Sequence, residues 1–211
     1  MPVRAKICGL STPETIGAAV RHGASHVGFV FFAKSPRNVA VEQAAALIAT
    51  MPADIGKVGV FVDPDDDLLM RAVAAGLTAL QLHGKEPPER VGALRRIGVE
   101  LWKAVPVKAR ADLALARTYR GAADRILYDA KTPETADLPG GMGLRFDWRL
   151  LDGFAHPLPW ALSGGLDVNN VADAVRISGA RLVDTSSGVE STPGVKDVGK
   201  IERFLNAVAA L

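Results

Sequence analysis

Cysteine is almost missing from this chain: its 211 residues hold one, Cys8. An internal disulfide framework is therefore excluded, and a lone thiol fits a reducing compartment, either as a reactive group or as a small buried apolar filler. A large excess of charge of either sign is missing as well. The net charge is +2 with no basic cluster, which excludes the electrostatic footprint that nucleic-acid binding requires. No apolar run approaches the ~20 residues that cross a bilayer. The opening Met-Pro-Val-Arg-Ala-Lys lacks the apolar core and small-residue cleavage site of a secretory signal, so a cytoplasmic location is expected. The four histidines, His22, His26, His83 and His156, show no metal-ligand spacing. No G-x-G-x-x-G opening follows the first strand either. Neither a metal nor another cofactor is expected, and the chemistry must come from side chains. The partner these absences leave is a small molecule, with no obligate protein partner implied.

What is present is a rhythm. Hydrophobic residues make up 48% of the chain, enough for a sizeable core. A helical pattern ending at glycine is followed by a short apolar run five times, from Gly23, Gly76, Gly98, Gly121 and Gly179. Three more runs, Val3 to Cys8, Val58 to Val62 and Trp160 to Ser163, bring the strands to eight. Between them the pattern predicts helices over 13–22, 41–50, 66–75, 88–97, 111–119, 147–152, 168–177 and 197–209, with Thr12-Pro13, Asp65, Asp147 and Asp167 as the clearest starts. Strict alternation in this length predicts an all-parallel closed (β/α)8 TIM barrel, one domain over 1–211. An open doubly wound sheet is the runner-up. The one long irregular stretch, Lys131 to Arg145, follows the sixth strand and is expected to be a binding loop or lid.

Alternate strand residues face opposite sides, so parity separates wall from interior. Ile7, the set Val58, Val60 and Val62, then Leu80, Leu82, Ile126, Tyr128 and Val183 are expected outward, against helices. The opposite parity is polar toward the strand ends: Lys6, Cys8, Asp63, Gln81, His83, Lys103, Asp129, Ser163, Asp184 and Ser186. Inward polar groups are costly to bury without partners, and the carboxyl ends of the strands are where such barrels place active sites. A hydrogen-bonded plug is the competing reading, with Lys6 and Gln81 the strongest candidates for a structural part. Two loops carry an anion signal. Ser163-Gly164-Gly165-Leu166 follows strand seven and Ser186-Ser187-Gly188-Val189-Glu190 follows strand eight. Backbone amides at Gly164, Gly165, Ser186, Ser187 and Gly188 would hold a phosphate there.

The residues so far resemble a known family along the whole chain, that of phosphoribosylanthranilate isomerase. The resemblance rests on Lys6-Ile7-Cys8-Gly9, on Gly28-Phe29-Val30-Phe31 with Ser35-Pro36-Arg37, and on Gly59-Val60-Phe61-Val62. It continues through Gln81-Leu82-His83-Gly84, Tyr128-Asp129 with Gly140-Gly141-Met142-Gly143 and Phe146-Asp147-Trp148, and the two glycine loops. Met142 and Ser163 depart from the family pattern, which usually has Thr or Ser at the first and often Ala at the second. The resemblance implies a cofactor-free Amadori rearrangement of a phosphorylated aminoaldose in tryptophan biosynthesis. By the same resemblance Cys8 is the general base, Asp129 the general acid and Arg37 the partner of the anthranilate carboxylate. His83 and Asp184 are the further substrate-binding candidates. Rival readings are another phosphosugar barrel, such as indole-glycerol-phosphate synthase or a pentose-phosphate epimerase, and a non-catalytic sensor of a phosphorylated ligand. The first would need an added N-terminal segment or metal-spaced His and Asp, and the second would be expected to have lost Cys8 or Asp129.

Overall fold

Among the described residues no strand is longer than eight residues, so none can bury its own apolar surface, and eight of them close on one another instead. The computed structural model describes residues 2–133 and 140–211. In it β1 (Arg4–Cys8), β2 (His26–Phe31), β3 (Gly56–Phe61), β4 (Ala79–Leu82), β5 (Glu100–Val107), β6 (Arg125–Ala130), β7 (Trp160–Leu162) and β8 (Leu182–Thr185) pair in chain order, all parallel. The ring shuts where β8 pairs with β1, Arg4 beside Leu182 and Ile7 beside Thr185. This is the (β/α)8 barrel that the alternation predicted, and closure leaves the barrel sheet without an open edge.

The outer layer is α1 (Pro13–Arg21), α2 (Val41–Ile48), α3 (Asp66–Ala74), α4 (Pro88–Ala93), α5 (Leu115–Thr118), α6 (Val171–Ser178) and α7 (Val198–Ala209). Side-chain caps set three of the starts: Thr12 accepts from the Thr15 amide, Asp65 from Leu68 and Asp197 from Lys200, each satisfying an amide that the first turn leaves free. Several expected helices are shorter. The stretch 88–97 divides into α4 and a 3-10 turn, Leu94–Ile97, and 111–119 into a 3-10 turn and α5. After β6 only a 3-10 turn, Trp148–Leu151, stands where 147–152 was expected. Asp167 does not cap a helix. Its carboxylate folds back on the Asn169 amide, and α6 begins at Val171 behind Asn170. Among the described residues no helix is long and apolar enough to cross a membrane.

Two apolar layers follow from parity. Outward residues such as Ile7, Phe29, Leu80, Tyr128 and Val183 pack under the helices. A smaller cluster, Val58, Ala79, Trp102, Ala104, Leu127, Ala161 and Leu182, fills the barrel itself, and Cys8, Val30 and Val60 pack above it. Fully burying a side chain of this size contributes about 1.5–3 kcal/mol. The expectation for β3 was therefore inverted: Val58 and Val60 face inward, Val62 lines the cavity above them, and Phe61 faces the helices. Two inward assignments also fail. Lys103 has the outward parity of β5 and is buried with Glu86, its Nζ donating to Glu86 Oε2 at 2.8 Å and to the Leu82 and Gly84 carbonyls. Asp63 turns away at φ 46°, and its carboxylate accepts from the Lys85 amide. Beyond β8, the hairpin of β9 (Glu190–Thr192) and β10 (Val195–Lys196) was not anticipated.

Candidate active site at the carboxyl ends of the strands

The inward residues that end the strands surround one cavity of about 810 Å³, counted to its open mouth. Cys8, Gln81, His83, Asp129, Ser163, Asp184 and Ser186 all line it, as do Arg37, Gly164, Gly165 and Ser187. The polar ring expected from parity is thus assembled, less Asp63 and Lys103. Lys6 lies beneath its floor, fully buried.

Charge is concentrated on the β1 and β8 side. Lys6 Nζ donates to Asp184 Oδ1 at 2.8 Å, and Ser163 Oγ donates to Asp184 Oδ2 at 3.2 Å. Both Asp184 oxygens are thereby engaged within the protein. Burial draws the Lys6 ammonium toward the neutral form, but the charges of Asp184 and Cys8 and the hydrogen bonds to both together outweigh it, and the net direction is upward. Burial pushes the Cys8 thiol up, while the charges of Lys6 and Lys196 pull it back and that of Asp184 opposes them.

Across the cavity Gln81, His83 and Asp129 form a chain. Gln81 Nε2 is 3.1 Å from His83 Nδ1, and His83 Nε2 is 3.1 Å from Asp129 Oδ2. With the amide donating, the ring carries its proton on Nε2 and donates it to Asp129. The second Asp129 oxygen accepts from the Ala130 amide at 2.9 Å. Gly140 packs tightly over this pair: a β-carbon there would stand 2.7 Å from Asp129 Oδ2 and 2.9 Å from His83 Nε2. Residues 134–139 of the expected binding loop lie outside the described residues. Its described end, Gly140 to Leu144, forms part of the cavity wall, with Met142 half exposed.

Arg37 lines the cavity, yet its fork is already closed. Nε and Nη2 donate to the two Glu190 oxygens at 2.7 and 2.8 Å, and Nη2 also donates to the Gly141 carbonyl. Burial pushes the Glu190 carboxyl up, but the Arg37 bonds and the Lys196 charge more than reverse this and leave it below its ordinary value. Lys196, from β10, spends its ammonium on Glu190 Oε1 at 2.7 Å, the Ser186 carbonyl at 2.8 Å and Ser186 Oγ at 3.0 Å. Ser186 Oγ in turn donates to the Cys8 carbonyl. Glu190 stood in a quoted motif without a role, and Lys196 stood in none. Their place becomes visible only once the hairpin has folded.

The two glycine loops are adjacent. Thr185 Oγ1 donates to the Leu166 carbonyl at 2.6 Å, tying one loop to the other. Gly164 and Gly165 hold left-handed backbones that side chains disfavour. Gly188 is not part of the wall. A β-carbon there would fall 2.0 Å from the Leu166 carbonyl oxygen, so its role is to let the loops touch.

Fold and cavity together define a barrel enzyme whose site lies on the carboxyl face of its sheet. The family model described as N-(5'phosphoribosyl)anthranilate (PRA) isomerase matches residues 5–207. A curated N-(5'-phosphoribosyl)anthranilate isomerase of Zymomonas mobilis is 60% identical over 100% of both chains, and that of Rhodospirillum centenum is 52% identical over 100% of both. Among solved structures, the phosphoribosyl anthranilate isomerase of Thermotoga maritima superposes with a TM-score of 0.87 at 38% identity, covering 99% of this chain and 100% of its own. Another, at 0.86 and 35% over the same shares, was solved in complex with reduced 1-(o-carboxyphenylamino)-1-deoxyribulose 5-phosphate. The chain belongs to the N-(5'-phosphoribosyl)anthranilate isomerase family.

Proposed function

We propose that this chain, acting as one barrel domain in the cytoplasm, converts N-(5-phosphoribosyl)anthranilate to 1-(2-carboxyphenylamino)-1-deoxyribulose 5-phosphate without a cofactor. The observation that carries the proposal is one cavity with a thiol on β1, a carboxyl on β6 and two glycine loops after β7 and β8. In this reading the amides of Gly164, Gly165, Ser186 and Ser187 hold the phosphate, with Gly188 letting the two loops meet. Asp129, in its protonated form, gives its proton to the ribose ring oxygen. The C1–O bond breaks and the anilino nitrogen supplies the electrons for a C1=N iminium. Cys8, as thiolate, removes the proton from C2. That electron pair forms C1=C2 and the iminium electrons return to nitrogen. The enol then loses its hydroxyl proton as C1 gains one, and the aminoketose results. His83, 3.1 Å from Asp129, is the neighbour with which that carboxyl exchanges protons. Arg37 meets the anthranilate carboxylate through Nη1, since its other nitrogens are held by Glu190 and Gly141.

The test is turnover of substrate made in situ from anthranilate and phosphoribosyl pyrophosphate by the preceding transferase. Parent protein should consume it. Cys8→Ser and Asp129→Asn should each lose roughly 10²- to 10⁴-fold in kcat while binding a reduced product analogue like the parent. No turnover by the parent would refute the activity, and substantial turnover by either variant would refute that residue's role.

A further inference from the structure

A thiol that must give up its proton inside a buried wall needs a positive charge of fixed position, and β1 supplies one two residues from Cys8. Lys6 is fully buried, and its ammonium donates to Asp184 Oδ1 at 2.8 Å. Such a lysine two residues from a cysteine on a strand shares its face. The place where the two side chains meet is marked by Gly28 on the neighbouring β2, opposite Cys8 in the ladder. A β-carbon on Gly28 would stand 2.8 Å from Cys8 Sγ and 3.1 Å from Lys6 Nζ. Sulfur and ammonium therefore converge on one point, which any side chain on β2 would occupy. Asp184 pins the ammonium from the β8 side, and Ser163 Oγ pins Asp184.

We propose that Lys6 is a positioning residue for the proton transfer: its ammonium, fixed by Asp184, is the counter-charge of the Cys8 thiolate, and Gly28 is the omitted side chain that lets them meet. This rests on Cys8 being the base. The other charges around the thiol do not replace Lys6. Lys196 on β10 has its three hydrogens committed to Glu190 and Ser186. Arg37 is closed on Glu190, and His83 and Asp129 pair with each other across the cavity. Asp184 opposes ionisation, and the influence of Lys6 on the thiol exceeds it. The directions agree, with Lys6 the largest of the influences that draw the thiol down against burial. In the reaction the thiolate takes up the C2 proton, so its charge disappears as the electron pair moves onto the substrate. Burial still leaves the thiol above its ordinary value, so Lys6 acts by lowering the cost of forming the free base inside the wall.

Cys8 is the sole cysteine of the chain, so its alkylation by iodoacetamide reads this thiol without turnover. The rate is followed from pH 6 to 11 in the parent, in the neutral pair Lys6→Met with Asp184→Asn, and in Gly28→Ala. The double variant leaves no orphan buried charge, so folding is retained. Gly28→Ala changes no charge at all. The midpoint of each profile reports ionisation, and its alkaline plateau reports access. Both variants should move the midpoint upward by about one pH unit, a roughly tenfold slower reaction at pH 8 at comparable plateau. The kcat/KM profile of the isomerase reaction should shift by the same amount. If both fold, by circular dichroism and a single melting transition, and both keep the parent midpoint, the pairing is refuted. If only one folds, that one decides by the same criterion. A shifted midpoint with unshifted turnover would uphold the pairing and refute Cys8 as the base.

Discussion

At the scale of single residues, Glu190 changes the meaning of Arg37. A guanidinium whose fork faced the cavity would grip a carboxylate with two parallel bonds, whereas here that fork is spent on a buried carboxylate and only Nη1 remains. Removing one member of a buried charged pair strands the other. Glu190→Gln should therefore raise KM more than it lowers kcat, and destabilise the protein by about 3 kcal/mol at pH 7. The pH dependence has a definite sign. The folded carboxyl lies below its ordinary value of 4.5, so its contribution is complete above pH 4.5 and is lost as pH falls through the folded value. Urea unfolding between pH 3 and 7 should show a flatter acid limb for the variant. An acid limb as steep as the parent's would mean that Glu190 is not tied to Arg37 in solution.

At the scale of elements, what could be read from the sequence depended on whether a strand differs between its faces. In β4, Leu80 and Leu82 alternate with Gln81, so inside and outside were correctly separated. β6 behaves likewise, with Leu127 and Asp129 inward and Ile126 and Tyr128 outward. In β3 the run Val58-Gly59-Val60-Phe61-Val62 is apolar on both faces, so polarity gave no register, and the barrel interior took the valines because Phe61 fits the wider helix layer. Lys103 misled for the opposite reason: it is polar but neutralised by Glu86, which follows the Gln81 to Gly84 motif without belonging to it. Cys8, Arg37, Asp129 and the glycine loops were legible because they are local motifs, while Lys196 depends on a hairpin whose Pro193-Gly194 turn is flanked by strands of three and two residues, too short to show a periodicity. The loop pair after β7 and β8 yields a sharp prediction. Gly188→Ala places a methyl group 2.0 Å from a carbonyl oxygen in the facing loop, and strain of this kind costs roughly 1–3 kcal/mol. The two loops must then separate. Affinity for a phosphorylated product analogue should fall at least tenfold by calorimetry, with the barrel's circular dichroism retained. Unchanged affinity would remove these loops from the phosphate site.

At the scale of the whole molecule, two histidines are held neutral by the fold. His26 contacts the Trp102 ring edge-on, and burial, with the cations Arg125, Lys6 and Arg4, lowers its pKa to about 4. His156 stacks on Trp160, and burial lowers it to about 4 as well. The unfolded chain takes up protons on both near pH 6.5, the folded chain only near pH 4. Stability is therefore full above pH 6.5 and falls as pH drops through this window, by at most about 3 kcal/mol for His26. His26→Gln should lose less stability than the parent between pH 7 and pH 5 in urea titrations, an interval above the one in which Glu190 acts. Equal losses would mean that His26 is protonated in the native state.

The Lys6–Asp184 pair joins residues 178 positions apart, across the seam where β8 meets β1. A ribosome therefore releases the first strand long before its partner exists. Until residues 182–185 emerge, β1 keeps an unpaired edge, which invites pairing with a neighbouring nascent chain, and an ammonium with no carboxylate, which keeps the strand hydrated and opposes that pairing. When β8 arrives, closing the seam brings the counter-ion to Lys6 and the Ser186 turn to Cys8 in one event. Isomerase activity, on the proposed mechanism, would then begin only with topological completion, so recovered turnover during refolding is a clock for the last strand rather than for the collapse of the core.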